Sequence, residues 1–131
     1  MSDFTGKYKL QSATNTEAFL KELGLPDEFV AKAKDVKPEL EISLTGDEYT
    51  IKTVTPNRTH EIKFKLGEEF DDQLPDGRKF KTTVTIEGNK LTQVNRGDTK
   101  TVTFVRELNG DELNVTGTVG SVTTVGVYAR Q

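Results

Sequence analysis

The chain of 131 residues contains no cysteine and no tryptophan, one methionine and one histidine. Without cysteine there is no disulfide framework and no thiolate chemistry. With a single histidine, His60, and no cysteine, the clustered ligands of a zinc centre are missing. No metal and no cofactor are expected. No apolar run approaches the length of a membrane-spanning helix. The balance of 18 basic and 21 acidic residues, net −3, gives neither the basic surface that nucleic acid requires nor a strong pull to anionic membranes. The first residues, Met1 to Lys7, lack the apolar stretch of a signal peptide. A soluble, cytoplasmic protein is therefore expected. Phosphate-cradling glycine motifs and a nucleophile elbow are also missing, so no catalytic residues are assigned. His60, in Arg58-Thr59-His60-Glu61, reads as a solvated strand residue.

What the chain has in quantity is turn punctuation. Gly46, Gly67, Gly77, Gly88, Gly97, Gly110 and Gly120 sit beside polar residues, with Asp76-Gly77 and Asn109-Gly110 as hairpin dipeptides. Between them lie short runs rich in Val, Ile, Thr, Phe and Tyr, at residues 48–54, 61–66, 80–87, 91–95 and 113–119. Turns about 8–12 residues apart mark an all-β sandwich or barrel, and short connections favour an up-and-down meander. The reading gives ten strands, one N-terminal and nine from Pro38 onward, in a single domain over residues 1–131.

Residues 15–36 break the pattern. Asn15 is placed to cap a helix whose stripe is Thr16, Phe19, Leu20 and Leu23. Gly24 fits the position that ends it, and Pro26 the first turn of a second helix. Phe29, Val30 and Ala33 are expected to face inward, and Lys37-Pro38 to stop the helix. A helix pair between the first two strands suits the open end of a barrel. Ten strands enclose room for a ligand. Gly117 and Gly126, both on inward faces, either leave space or let the barrel bend.

One inward residue stands out. In Thr101-Val102-Thr103-Phe104-Val105-Arg106-Glu107-Leu108, alternation puts Val102, Phe104, Arg106 and Leu108 on one face. That face is apolar apart from the guanidinium, which is costly to bury alone. Arg106 therefore calls for water, a carboxylate or an anionic ligand.

The chain resembles the intracellular lipid-binding proteins, the fatty-acid-binding and cellular retinoid-binding family, over essentially its whole length. The resemblance rests on Phe4-x-Gly6-Lys7-Tyr8-Lys9-Leu10, the helix pair ending Lys37-Pro38, residues 64–71, Asp76-Gly77-Arg78, Val105-Arg106-Glu107 and Val127-Tyr128-Ala129-Arg130. It implies a ten-stranded antiparallel up-and-down β-barrel (a β-clam, calycin-like) capped by a helix–turn–helix. An extracellular lipocalin, the nearest alternative, usually brings a signal peptide and often a disulfide. The implied function is that of a monomeric carrier, reversibly binding a long-chain fatty acid or a similar hydrophobic carboxylate. The alternatives are a retinoid or a bulky, bile-acid-like amphipath, or a lipid-regulated protein-interaction domain.

In many members two arginines and a tyrosine hold the ligand carboxylate. Arg106 and Tyr128 match one arginine and the tyrosine, and Gly126 stands where the second arginine falls. Phe104, Val115, Leu40 and Ile51 are expected against the hydrocarbon tail. Thr53 offers an inward hydroxyl, and Asp76 and Arg78 are expected in an internal polar network. The helices and the turns at Asn57 and Asp76 are the expected gate. Four lysines (Lys21, Lys32, Lys34, Lys37) face five acids in the helical segment, so membrane contact is at most transient.

Overall fold

Two-residue turns convert the glycine punctuation into hairpins. Gly110 and Gly120, with φ of 64° and 58°, each occupy the first turn position between consecutive strands. A side chain is strained at such φ, and positive φ there suits the right-handed twist of the flanking strands. The computed structural model of the protein describes residues 4–33, 36–56, 58–73, 77–98 and 100–131. Asp76 and Asn57 lie outside the described residues, as do Lys34 and Asp35 and the side chain of Ala33.

The chain order is β1 (Gly6–Thr14), α1 (Thr16–Glu22), α2 (Asp27–Ala33), β2 (Glu39–Thr45), β3 (Glu48–Thr55), β4 (Arg58–Lys65), β5 (Phe70–Gln73), β6 (Lys79–Glu87), β7 (Lys90–Arg96), β8 (Thr101–Asn109), β9 (Glu112–Val119) and β10 (Val122–Arg130). The ten strands form one antiparallel sheet in the order β4-β3-β2-β1-β10-β9-β8-β7-β6-β5. Each strand pairs with its sequence neighbour, except that β1 also closes onto β10 and that β4 and β5 end the order unpaired with one another. The expected ten-stranded up-and-down barrel under two helices is what the chain forms.

The seam between β4 and β5 is shut by side chains. Phe64 on β4 stacks on Phe70 of β5, with centroids 5.5 Å apart, and Tyr49 stacks on Phe64 at 5.8 Å. Further along the seam, His60 Nε2 donates to Asp72 Oδ1 at 2.8 Å. The solvated placement expected for His60 is corrected. His60 is opposite Thr53, which is opposite Leu40, on the inner face, and the ring is half-buried against Asp72. The first residues of this edge strand look exposed by composition, but the facing edge brings a carboxylate to them.

Helix α1 runs on the expected stripe, with Phe19 buried and packed toward β9 and β10. Gly24, at φ 84°, ends it. Asn15 precedes the helix in the left-handed region but makes no side-chain cap. Its Nδ2 instead donates to the Thr123 carbonyl at 2.9 Å, tying the helix start to β10. Leu23, Leu25 and Val30 are buried, and Phe29 is half-buried.

The core has two apolar pools. One gathers Phe4, Tyr8, Leu40, Ile42, Ile51, Ile62, Phe64, Val84, Leu91 and Leu113. The other lies under the helices and joins Phe19, Leu23, Leu25, Val30, Phe80, Val102 and Val119. Tyr8 pins the first: its hydroxyl donates to the Phe4 carbonyl at 2.8 Å and accepts from Arg130 Nη2 at 2.8 Å.

Candidate functional site

Strand register decides what meets inside. Arg106 on β8 is opposite Leu91 on β7 and Val115 on β9, and Val115 is opposite Gly126 on β10. In the next row Leu108, Leu113 and Tyr128 align. Arg106, Val115, Gly126 and Tyr128 thus share one wall of the interior, as alternation predicts. On the other side of Arg106 the row is Gln93, Phe104 and Gly117.

Arg106 is 9% exposed, the one buried charge among the described residues. Its Nη1 donates to Gln93 Oε1 at 2.8 Å, and its Cζ lies 5.7 Å from the centroid of the Phe104 ring. Its Nε is buried without a partner among the described residues. Burial pulls its pKa down to about 10, against a smaller opposing pull from Tyr128. The guanidinium therefore remains protonated at neutral pH. Burial likewise pushes the Tyr128 hydroxyl up, and the charge of Arg106 opposes that shift. The result is a cation in an apolar enclosure with hydrogen-bonding capacity to spare, beside a neutral phenol. A buried, under-satisfied cation favours an anionic partner.

The other expected residues distribute unevenly. Phe104 and Val115 flank Arg106. Phe104 also meets Phe19 of α1 edge-on, with centroids 5.9 Å apart. Leu40 is buried in the first pool, and Thr53, its register partner, is half-buried beside it. Both lie on strands remote from β8 in the sheet order. Arg78 is exposed, and its Nη2 donates to the Leu23 carbonyl at the end of α1 at 2.7 Å. The unpaired carbonyls of a helix C-terminus attract a cation, which gives Arg78 a tie to the helical cap where an interior network was expected. Lys100 donates to the neighbouring Glu22 carbonyl.

The two inward glycines are also resolved. A Cβ on Gly117 would lie 2.9 Å from Phe104 Cε1 and 3.1 Å from Phe19 Cζ. Its space is already taken by those rings. A Cβ on Gly126 would lie 3.3 Å from Leu10 Cδ1 and 3.4 Å from Tyr128 Cε1. A larger residue there competes with Leu10 and Tyr128.

Three buried polar residues were not singled out from the sequence: Thr82, Gln93 and Asn95. All three are on the inner face of β6 and β7, and Gln93 bonds Arg106 directly. Alternation from Leu91 through Gln93 to Asn95 was the available signal, but Val94 on the opposite face made the inward side ambiguous.

The comparisons with known proteins agree with this fold. Residues 5–131 match the profile of the lipocalin / cytosolic fatty-acid binding protein family. The chain belongs to that family. A fatty acid-binding protein of Tyrophagus putrescentiae is 51% identical over 134 residues, covering 100% of both chains. The crystal structure of a fatty acid-binding protein from Drosophila melanogaster brain tissue superposes with a TM-score of 0.93 at 43% identity, covering 97% of this chain and 99% of that one. A Schistosoma mansoni fatty acid binding protein in complex with arachidonic acid superposes with a TM-score of 0.95 at 36% identity, covering 100% and 98%.

Proposed function

We propose that this protein is a fatty-acid carrier that binds a long-chain acid reversibly and non-covalently inside the barrel. The observation that carries the reading is Arg106, a buried cation with an unused Nε amid apolar walls. The relatives named as fatty acid-binding proteins, one of them in complex with arachidonic acid, support it. In this reading Arg106 meets the carboxylate and Tyr128 lies close by as a neutral hydrogen-bonding group. Phe104, Val115 and Leu40 contact the tail, and Thr53 lines the wall beyond.

Each buried methylene contributes about 0.8 kcal/mol by transfer, so the tail supplies most of the affinity. The guanidinium supplies selectivity, because a neutral ester leaves the buried charge without its counter-ion. With Gly126 in the position of a second cation, one arginine does this alone. The carrier is further proposed to be a cytoplasmic monomer whose membrane contact is transient. No described helix is long and apolar enough to cross a membrane.

The test is a titration of delipidated protein with a long-chain fatty acid and with its methyl ester, repeated on Arg106→Ala. The acid is expected to bind more tightly than the ester, and the variant to lose that preference. Equal binding of acid and ester by the unaltered protein would place the carboxylate elsewhere.

A further inference from the structure

The carboxylate site uses one of the four buried polar residues among those described. From it a directed chain runs through two more, Gln93 and Asn95. An arginine donates and never accepts, so Gln93 must present Oε1 to Arg106, which it does at 2.8 Å. The Gln93 amide nitrogen is thereby turned the other way, and its Nε2 donates to Asn95 Oδ1 at 3.0 Å. Asn95 in turn has only its Nδ2 left to offer. Arg106 thus fixes the orientation of both amides.

The next residue on this wall is Thr82. It is opposite Asn95 in the β6–β7 register, and paired residues hold their Cβ atoms about 4.5–5.5 Å apart. Thr82 is 0% exposed, and its Oγ1 has no partner among the described residues. A buried hydroxyl without a partner is costly. Two polar side chains face each other here without bonding, one presenting a donor and the other a hydroxyl. An oxygen atom brought within reach of both would accept from Asn95 Nδ2 and pair with Thr82 Oγ1. The surrounding residues, Phe70, Phe80 and Val102, are apolar.

We propose that Thr82 and Asn95 form a second polar subsite, which takes an oxygen substituent on the acyl chain, so that the protein selects oxygenated long-chain fatty acids. The inference rests on the reading that the carboxylate sits at Arg106. The row of Thr82 and Asn95 is four residues along β7 from the row of Arg106, about 13 Å at the strand rise of roughly 3.3 Å per residue. The substituent therefore belongs well along the chain and not beside the carboxyl group.

The experiment compares octadecanoic acid with the positional series of monohydroxyoctadecanoic acids on delipidated protein. At least one mid-chain isomer is expected to bind about tenfold more tightly than the plain acid, the worth of one or two hydrogen bonds. Isomers hydroxylated next to the carboxyl group are expected to show no gain. Thr82→Val, isosteric and free of the orphan hydroxyl, is expected to bring the ratio for the favoured isomer near one, as is Asn95→Leu. Thr85→Val, on the exposed outer face of the same strand, is expected to keep the ratio.

If octadecanoic acid binds and no isomer binds more tightly, Thr82 and Asn95 hold water only and the subsite is overturned while the carrier reading stands. An isomer preference that survives in both Thr82→Val and Asn95→Leu also overturns it. Failure of octadecanoic acid itself to bind overturns the carrier reading and the subsite with it.

Discussion

The ring of Phe104 lies directly over Gly117, with Cε1 2.9 Å from where a Cβ would stand. The two are register partners on β8 and β9, and the same ring meets Phe19 of the cap edge-on. Gly117 is thus the seat on which the helical cap and the barrel wall are fitted together. Gly117→Ala is expected to lower stability by roughly 1–3 kcal/mol, the usual range for overpacking a filled core. Chemical denaturation checks this, and an unchanged midpoint would show that the rings shift freely.

In the proposed reading, Arg106 is kept for binding at a cost to folding, since burial disfavours its charge. Replacing a buried ionic group with an apolar one of similar length is often stabilising, by roughly 1–4 kcal/mol. Arg106→Met is accordingly expected to raise the denaturation midpoint of the ligand-free protein while weakening binding of fatty acids relative to their esters. A variant less stable than the parent would mean that the bond to Gln93 outweighs the charge penalty.

The pH dependence of binding follows from the same burial. The unliganded guanidinium, with a pKa drawn down to about 10, is charged at neutral pH and loses its proton as pH rises past that value. Fatty-acid affinity is expected to stay level from pH 7 to 9 and to fall above about 10, while ester affinity stays level. Stability of the ligand-free protein has two opposed contributions there. The unfolded arginine keeps its proton to higher pH than the folded one, so Arg106 adds stability as pH rises past 10. Tyr128 is shifted up by burial, holds its proton longer when folded, and subtracts stability over the alkaline range. Titrations of both ligands over this range check the sign.

The cap is tied down at its α1 end by Arg78 and Lys100, which donate to the carbonyls of Leu23 and Glu22. Both bonds are near the surface, so each contributes about 1 kcal/mol or less. The double variant Arg78→Ala, Lys100→Ala is expected to change global stability little. It is expected to speed amide exchange in α1 and release of bound fatty acid severalfold. Exchange rates equal to the parent's would show that the apolar contacts of Phe19 and Leu23 hold the cap unaided.

Local chemistry made much of this legible before any coordinates. Alternation in the strand of Arg106 identified the inward cation, and the 3,4 spacing of Phe19, Leu20 and Leu23 identified the buried stripe of α1. The features that escaped are those in which the partner lies far along the chain. Asn15 finds the carbonyl of Thr123, and Arg78 finds that of Leu23. His60 and Asp72 are only twelve residues apart, yet they meet because two strands fail to pair, and no composition signals a missing ladder. Gln93 and Asn95 escaped for a different reason: their strand carries one apolar residue among polar ones on each face, Leu91 on one and Val94 on the other, so period two alone does not say which side is in.

The unpaired strands β4 and β5 carry one more consequence. A row of unmatched amides and carbonyls is a template on which a second molecule can add its own strand. In this chain that template is short, since β5 spans four residues, and its outer positions carry the exposed charges Lys63, Lys65 and Asp71. The stacked rings of Phe64 and Phe70 keep the two rows facing each other and not the solvent. Variants that part those rings are therefore expected to self-associate edge to edge before they unfold, which light scattering at high concentration checks.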